Sequence, residues 1–335
     1  MGQSKNVAVA VLGGGSWATA IAKMLLENLE GITWYMRNTE AVAYIRSQGH
    51  NPNYLTSVEF QTDRLFLTDS INEAIERASV LIFAIPSAFL VNELKKIRLP
   101  LKEKIIFSAI KGIVPESGLI VGEHFHDTYD IPFENIGVIT GPCHAEEVAL
   151  ERLSYLTIAC ADTDKAKNMA KLLQSDYIRT KVTKDIIGTE YAAMLKNIYA
   201  IAAGIAHGLG YGDNFQSVLM SNAIREMKRF TKRIYKIDRN INDSAYLGDL
   251  LVTGYSIFSR NRMFGNMLGK GYTVKSAMME MKMVAEGYYA VRGVHELKGR
   301  LKKKVKTPII DAVYSVLYES QPPKKVFEKL TDKLD

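Results

Sequence analysis

Short runs of β-branched and aliphatic residues alternate with amphipathic stretches through the first half of the chain. The apolar runs predict strands at residues 7–12, 32–35, 65–67, 80–84, 105–108 and 136–139, with helical stretches such as 16–29 and 70–77 between them. Strands that read as continuous apolar runs, separated by helices, predict a parallel sheet buried on both faces. Two further strands, 155–160 and 178–182, flank a helix at 163–174.

From Asp185 onward the texture changes. Residues 189–206 form a long alanine-rich stretch free of strand signals, ending in a cluster of Gly204, Gly208, Gly210 and Gly212. Helical periodicity returns at 215–235, 260–268, 287–297 and 308–319. The expected organisation is therefore an α/β domain over 1–187, followed by an all-helical domain over 188–335.

Composition narrows this picture. A chain of 335 residues is too long for one compact core, so two domains are expected. Cys143 and Cys160 are its two cysteines, which suits a reducing compartment and offers no metal-ligand spacing. The longest strand-like apolar run, 80–86, falls far short of the roughly 20 residues that span a bilayer. Met1-Gly2-Gln3-Ser4-Lys5-Asn6 has neither the pattern of a signal peptide nor that of a myristoylation site. A cytoplasmic protein is the expectation. The net charge of +7 is scattered, apart from Lys302-Lys303-Lys304-Val305-Lys306. No aromatic residues interleave that run, so it reads as a solvated loop rather than a nucleic-acid surface.

The first strand leads directly into Gly13-Gly14-Gly15-Ser16-Trp17-Ala18. Gly13 permits a tight turn, Gly15 lets backbone approach a pyrophosphate, and Ala18 keeps the following helix close to the strand. Amides at that helix start would meet the phosphates. Such a strand–turn–helix marks a Rossmann-type dinucleotide-binding domain. The second strand runs on into Arg37, where an NAD-specific site usually offers Asp or Glu. An arginine there suits the 2′-phosphate of NADP. The expected cofactor is NADP or NAD, with NADP favoured.

Candidate chemistry lies further on. Lys196 sits on a helical face with the small residues Thr189, Ala192, Ala193, Ala200 and Ala203. Its amine is either lifted to the surface on its flexible stem or held in a partly buried cleft; the pattern alone favours the first. Burial would lower its pKa and suit it to proton transfer. Asp249, in the apolar stretch Leu247-Gly248-Asp249-Leu250-Leu251, needs a partner, and Lys196 is one candidate. Ser259 is a credible N-cap, and Arg260 and Asn261 in the first turn behind it could cradle a phosphate. Lys111 follows one strand at its carboxyl end, and Gly141, Cys143 and Ala145 follow another, where open α/β sheets bind ligands. His124 and His126 read as part of a solvated turn.

Taken together, these motifs resemble the bacterial-type NAD(P)-dependent glycerol-3-phosphate dehydrogenases over nearly the whole chain. The most specific segments are Lys196-Asn197, Gly248-Asp249-Leu250, Ser259-Arg260-Asn261-Arg262-Met263-Phe264-Gly265 and Val284-Ala285-Glu286-Gly287. The resemblance implies a helical C-terminal domain like that of 6-phosphogluconate dehydrogenase. It implies reversible hydride transfer between sn-glycerol 3-phosphate and dihydroxyacetone phosphate, serving phospholipid synthesis in a cytoplasmic homodimer. Lys196 takes the general acid/base position, with Asp249 orienting it. Lys111 would contact both substrate and cofactor; Gly141, Cys143, Ser259, Arg260 and Asn261 would contact substrate. Gly13, Gly15, Ser16, Trp17, Arg37, Tyr54, Ala145, Arg260, Val284 and Glu286 would contact the cofactor.

The chain departs from the family pattern at four places. Ala18 replaces the third glycine, Cys143 stands for Ser or Thr, Thr56-Ser57 replaces Pro-Gly, and Asn38 replaces a second basic residue beside Arg37. Another β-hydroxyacid-type dehydrogenase would share the domains and a catalytic lysine, but not Ser259-Arg260-Asn261 together with Asp249. A non-catalytic NAD(P)-binding protein would keep the glycine turn without needing Lys196 and Asp249.

Overall fold

The computed structural model describes residues 8–281 and 285–335; Met1 to Val7 and Val284 lie outside them. The chain divides into two compact units. One runs to Ile110 and resumes over Leu119–Ile186; the other comprises Lys111–Gly118 and Ile187–Asp335. Residues 111–118 thus group with the helical part of the chain, although they follow a strand of the sheet.

The first unit is built on eight strands: β1 (Val9–Leu12), β2 (Ile32–Tyr35), β3 (Leu65–Thr68), β4 (Val80–Phe83), β5 (Ile105–Ser108), β6 (Ile136–Thr140), β7 (Ser154–Cys160) and β8 (Ile178–Thr183). Its helices are α1 (Ser16–Leu26), α2 (Thr39–Gln48), α3 (Ile71–Arg77), α4 (Ser87–Leu94), α5 (Val121–Tyr129), α6 (Ala145–Ala149) and α7 (Thr163–Leu173). The sheet order is β3-β2-β1-β4-β5-β6-β7-β8. Because β1 lies between β2 and β4, the strand order reverses at its carboxyl end, the point at which open α/β sheets form a ligand crevice. Every residue of β1, β2, β4 and β6 is buried, as unbroken apolar strands require.

The six strands expected to form a parallel sheet do pair in parallel, whereas β7, given no direction by the sequence, runs antiparallel to β6. A parallel return needs a long crossover, usually over a full helix. The connection here holds only the short α6, which packs on α1. His124 differs from expectation, being buried within α5 rather than solvated in a turn.

The second unit contains α8 (Ile186–Gly208), α9 (Asp213–Ile234), α10 (Asp249–Tyr255), α11 (Arg260–Gly269), α12 (Val274–Glu280), α13 (Glu286–Arg300), α14 (Pro308–Tyr318) and α15 (Pro323–Thr331). α8 ends at Gly208, within the expected glycine cluster, while Gly204 lies inside the helix. A Cβ on Gly204 would stand 2.0 Å from the Arg262 carbonyl oxygen of α11, and one on Gly265 would stand 2.1 Å from that of Ile201 on α8. Each helix carries a Gly-x-x-x-Gly pair, Gly204/Gly208 and Gly265/Gly269, so both glycines lie on one face and the two backbones touch.

Elsewhere in this unit, the fully buried Glu226 of α9 closes the start of α14. Its carboxylate accepts the amides of Ile309 and Ile310, each at 3.0 Å. Burial nevertheless pushes its pKa up to about 8.

Candidate functional site

The sheet unit presents the glycine turn at the strand reversal. Gly13 has φ 141°, and a Cβ there would meet the Ala84 carbonyl oxygen at 2.4 Å, so glycine is required. A Cβ on Gly15 would meet open space, consistent with backbone left accessible to a ligand. Ser16 begins α1, and among the described residues no side chain caps that helix start. The amides at such a helix start, reinforced by the helix dipole, favour an anion. Trp17 packs partly against the core.

Arg37 is exposed beyond β2, its guanidinium 5.1 Å from the centre of the Phe89 ring. The neighbouring Tyr35 hydroxyl donates to Glu93 at 2.5 Å, and Lys96 pairs with the same carboxylate at 2.8 Å. Those bonds outweigh burial and hold Glu93 below the usual carboxylate range. Tyr54 is half-buried in the loop after α2, its amide donating to Asn51 Oδ1 at 3.2 Å. Gly141 has φ 121° and would clash with the Tyr155 carbonyl oxygen at 2.7 Å if it carried a Cβ. Cys143 and Ala145 are buried in this unit's core cluster.

In the helical unit the arrangement is tighter. Lys196 of α8 is only 4% exposed, so the surface-lifted placement is corrected. Its Nζ forms a short, buried ion pair with Asp249 Oδ1. A π-helical turn over Ser244–Gly248 delivers Asp249 as the first residue of α10. Such turns widen the backbone locally and recur at functional sites. Asp249 Oδ2 is buried without a hydrogen-bond partner among the described residues. Burial lowers the Lys196 pKa to about 8, against the pull of the Asp249 charge and with help from the charge of Lys111. A lysine tuned this far gives and takes protons near neutral pH.

Ser259 caps α11 by accepting the Arg262 amide at 3.3 Å, as its sequence position suggests. Asn261 is buried, and its Oδ1 accepts the Gly287 amide at 2.9 Å, joining the start of α11 to that of α13. Gly287 leaves no room for a side chain: a Cβ would be 2.7 Å from the Asn197 carbonyl oxygen. Glu286, beside it, has its pKa raised by burial, while the charges of Arg260, Lys111 and Lys196 pull it down. The helical unit therefore gathers Lys111, Lys196, Asp249, Arg260, Asn261 and Glu286. Gly13, Gly15, Ser16, Trp17, Arg37, Tyr54, Gly141, Cys143 and Ala145 belong to the sheet unit. Sequence reasoning missed the glycine crossing that sets α11 against α8, although its two Gly-x-x-x-Gly pairs were a readable signal.

A dinucleotide-type sheet unit and a helical unit with a buried lysine–aspartate pair define a two-unit dehydrogenase. Residues 8–166 match the family model of the NAD-dependent glycerol-3-phosphate dehydrogenase N-terminus, and residues 185–328 match that of its C-terminus. The chain belongs to this family. A relative from Exiguobacterium sp., named glycerol-3-phosphate dehydrogenase [NAD(P)+], is 36% identical over 96% of this chain and 94% of its own length. One of the same name from Latilactobacillus sakei subsp. sakei is 37% identical over 93% of each. Among solved structures, glycerol-3-phosphate dehydrogenase from Coxiella burnetii superposes with a TM-score of 0.88 at 26% identity, covering 97% of this chain and 99% of that one. D-mandelate dehydrogenase, at 15% identity and a TM-score of 0.61, shares the fold. Among the described residues no helix is long and apolar enough to cross a membrane.

Proposed function

We propose that this chain is an NAD(P)-dependent sn-glycerol-3-phosphate dehydrogenase, interconverting dihydroxyacetone phosphate and sn-glycerol 3-phosphate. The observation that carries the reading is the buried Lys196–Asp249 pair, beside Lys111 and within a unit that also holds the capped start of α11. NAD(P)H, held at the turn of Gly13 and Gly15, would supply the hydride for the ketone carbon. Lys196 Nζ gives its proton to the ketone oxygen as the C–H bond forms, and takes it back in the oxidative direction. Asp249 holds the amine in place and favours its charged form.

The substrate's phosphate calls for fixed donors. Arg260 and the first-turn amides of α11 provide them, assisted by Lys111. With Oδ1 of Asn261 engaged by Gly287, Nδ2 is the group this side chain offers to a phosphate oxygen. Gly141, Cys143 and Ser259 are proposed to line the substrate, Cys143 offering a thiol where the family uses a hydroxyl.

Cofactor contacts are assigned to Gly13, Gly15, Ser16, Trp17, Arg37, Tyr54, Ala145, Arg260 and Glu286, with Arg37 favouring a 2′-phosphate. Labour divides at about residue 187, cofactor binding falling mainly before it and substrate binding mainly after it; Lys111, Gly141 and Cys143 serve the substrate from the first part, and Arg260 and Glu286 serve the cofactor from the second. A cytoplasmic homodimer feeding phospholipid synthesis is the accompanying proposal, supported by family membership alone.

The test is direct. Purified protein given dihydroxyacetone phosphate should oxidise NADPH or NADH, and given sn-glycerol 3-phosphate should reduce the oxidised cofactor. Folded protein that binds NADH and turns over neither substrate would refute the reading.

A further inference from the structure

Three successive carbonyls of the glycine turn are held from behind. Trp34 Nε1 donates to the Gly13 oxygen at 2.7 Å, and Asn51 Nδ2 to the Gly14 oxygen at 3.2 Å. The Thr19 hydroxyl and amide both donate to the Gly15 oxygen, each at 3.0 Å. The three side chains are at most 1% exposed. In a planar trans peptide the C=O and the following N–H point in opposite directions. Tying the three carbonyls inward therefore turns the amides of Gly14, Gly15 and Ser16 outward together. Such a row of N–H groups forms an anion-binding concavity whose dipoles are oriented before the ligand arrives.

Thr19 belongs to α1, which follows the turn, and Trp34 to β2, which pairs with β1; Asn51 comes from a separate loop. Its Nδ2 also donates to Thr19 Oγ1 at 3.0 Å, while its Oδ1 accepts the amides of Asn53 at 3.0 Å and Tyr54 at 3.2 Å. The four bonds use both donors and both acceptor sites of the amide, a complement that neither Asp nor an apolar residue can reproduce. One side chain thus fixes the middle peptide of the turn and ties it to the loop carrying Tyr54.

We infer that Asn51 is a positioning residue for the cofactor's pyrophosphate, holding the glycine-turn amides in their phosphate-facing orientation without itself touching the ligand. This rests on the dinucleotide reading of the turn, which NADH binding by the unaltered chain tests separately. The experiment compares wild type, Asn51→Ala and the near-isosteric Thr19→Val by titrating NADH fluorescence, by steady-state kinetics with dihydroxyacetone phosphate, and by thermal melting. Asn51→Ala should raise the NADH dissociation constant and KM at least about tenfold, with kcat at saturating NADH and KM for dihydroxyacetone phosphate within about twofold. Thr19→Val, which removes one bond to Gly15 and the acceptor for Asn51, should weaken NADH binding about threefold or more in the same selective way, and carries the test if Asn51→Ala fails to fold. NADH affinity within twofold of wild type in the folded variants would overturn the inference. So would an affinity loss matched by equal losses in kcat and in the substrate's KM, the mark of a merely structural residue.

Discussion

Substituting Gly204 by alanine tests whether the α8–α11 contact sets the geometry of the candidate site. The added Cβ would lie 2.0 Å from the Arg262 carbonyl oxygen and 2.8 Å from the Asn266 nitrogen, both backbone atoms that cannot rotate aside. Opening the closer contact from 2.0 Å to the 3.0 Å minimum of real Cβ contacts separates the helices by about 1 Å. Overpacking of this kind costs about 1–3 kcal/mol, and the better helix propensity of alanine returns up to about 1 kcal/mol. A net loss of about 1–2 kcal/mol should lower the melting temperature by a few degrees. The larger effect is on activity. Ser259, Arg260 and Asn261 begin α11, whereas Lys196 stands on α8, so a shift of about 1 Å between these helices can reduce kcat/KM for dihydroxyacetone phosphate about 100-fold. Gly212→Ala is the control, because a Cβ there meets no atom of the described residues within 4 Å. Steady-state kinetics and thermal melting on both variants decide the matter. Gly204→Ala with kcat/KM within twofold of wild type and an unchanged melt would refute the reasoning.

Two further predictions concern buried carboxylates. Glu226→Ala removes the acceptor of two buried amides at the start of α14 and should destabilise the protein by about 2–4 kcal/mol, read from denaturant unfolding. Because the Glu226 pKa rises on folding to about 8, the native state binds the proton more tightly than the unfolded chain does. Its contribution to stability is therefore greatest at acid pH and is lost as pH climbs towards 8, so the variant's deficit should shrink over that range. Asp249→Asn removes the charge that holds Lys196 protonated, so the pH at which dihydroxyacetone phosphate reduction begins to fail should move below about 8; an unmoved profile would detach Asp249 from the proton transfer.

Much of this architecture was readable because burial leaves a direct trace in sequence. Strands such as 32–35 and 105–108 are apolar on both faces, and they appear in the structure with those bounds. The sequence pattern gives no separate bounds for α2, α4 and α5. The reversal of β7 could not be read from the strands, since its direction depends on the connection through α6. Lys196 shows a different limit. A lysine on a small-residue face has the same spacing whether it reaches solvent or a buried aspartate, and only the packing of α10 separates the two. Ser259 was recognisable as a cap because that chemistry is local. Asn51 was not, because its partners at Gly14 and Thr19 are far away in sequence.

The central claim is that Lys196, buried against Asp249, supplies the proton for reduction of dihydroxyacetone phosphate. The most direct measurement is the pH dependence of kcat for this reduction, compared between wild type and Lys196→Ala with bound NADH verified. The ammonium is the required form for reduction, so the wild-type rate should fall about tenfold per pH unit above about 8, while the rate of sn-glycerol 3-phosphate oxidation rises through the same pH. Lys196→Ala should lose turnover by roughly 10²–10⁴-fold while retaining NADH affinity. A wild-type profile that stays flat through pH 8, or a Lys196→Ala variant that turns over at the wild-type rate, would contradict the account.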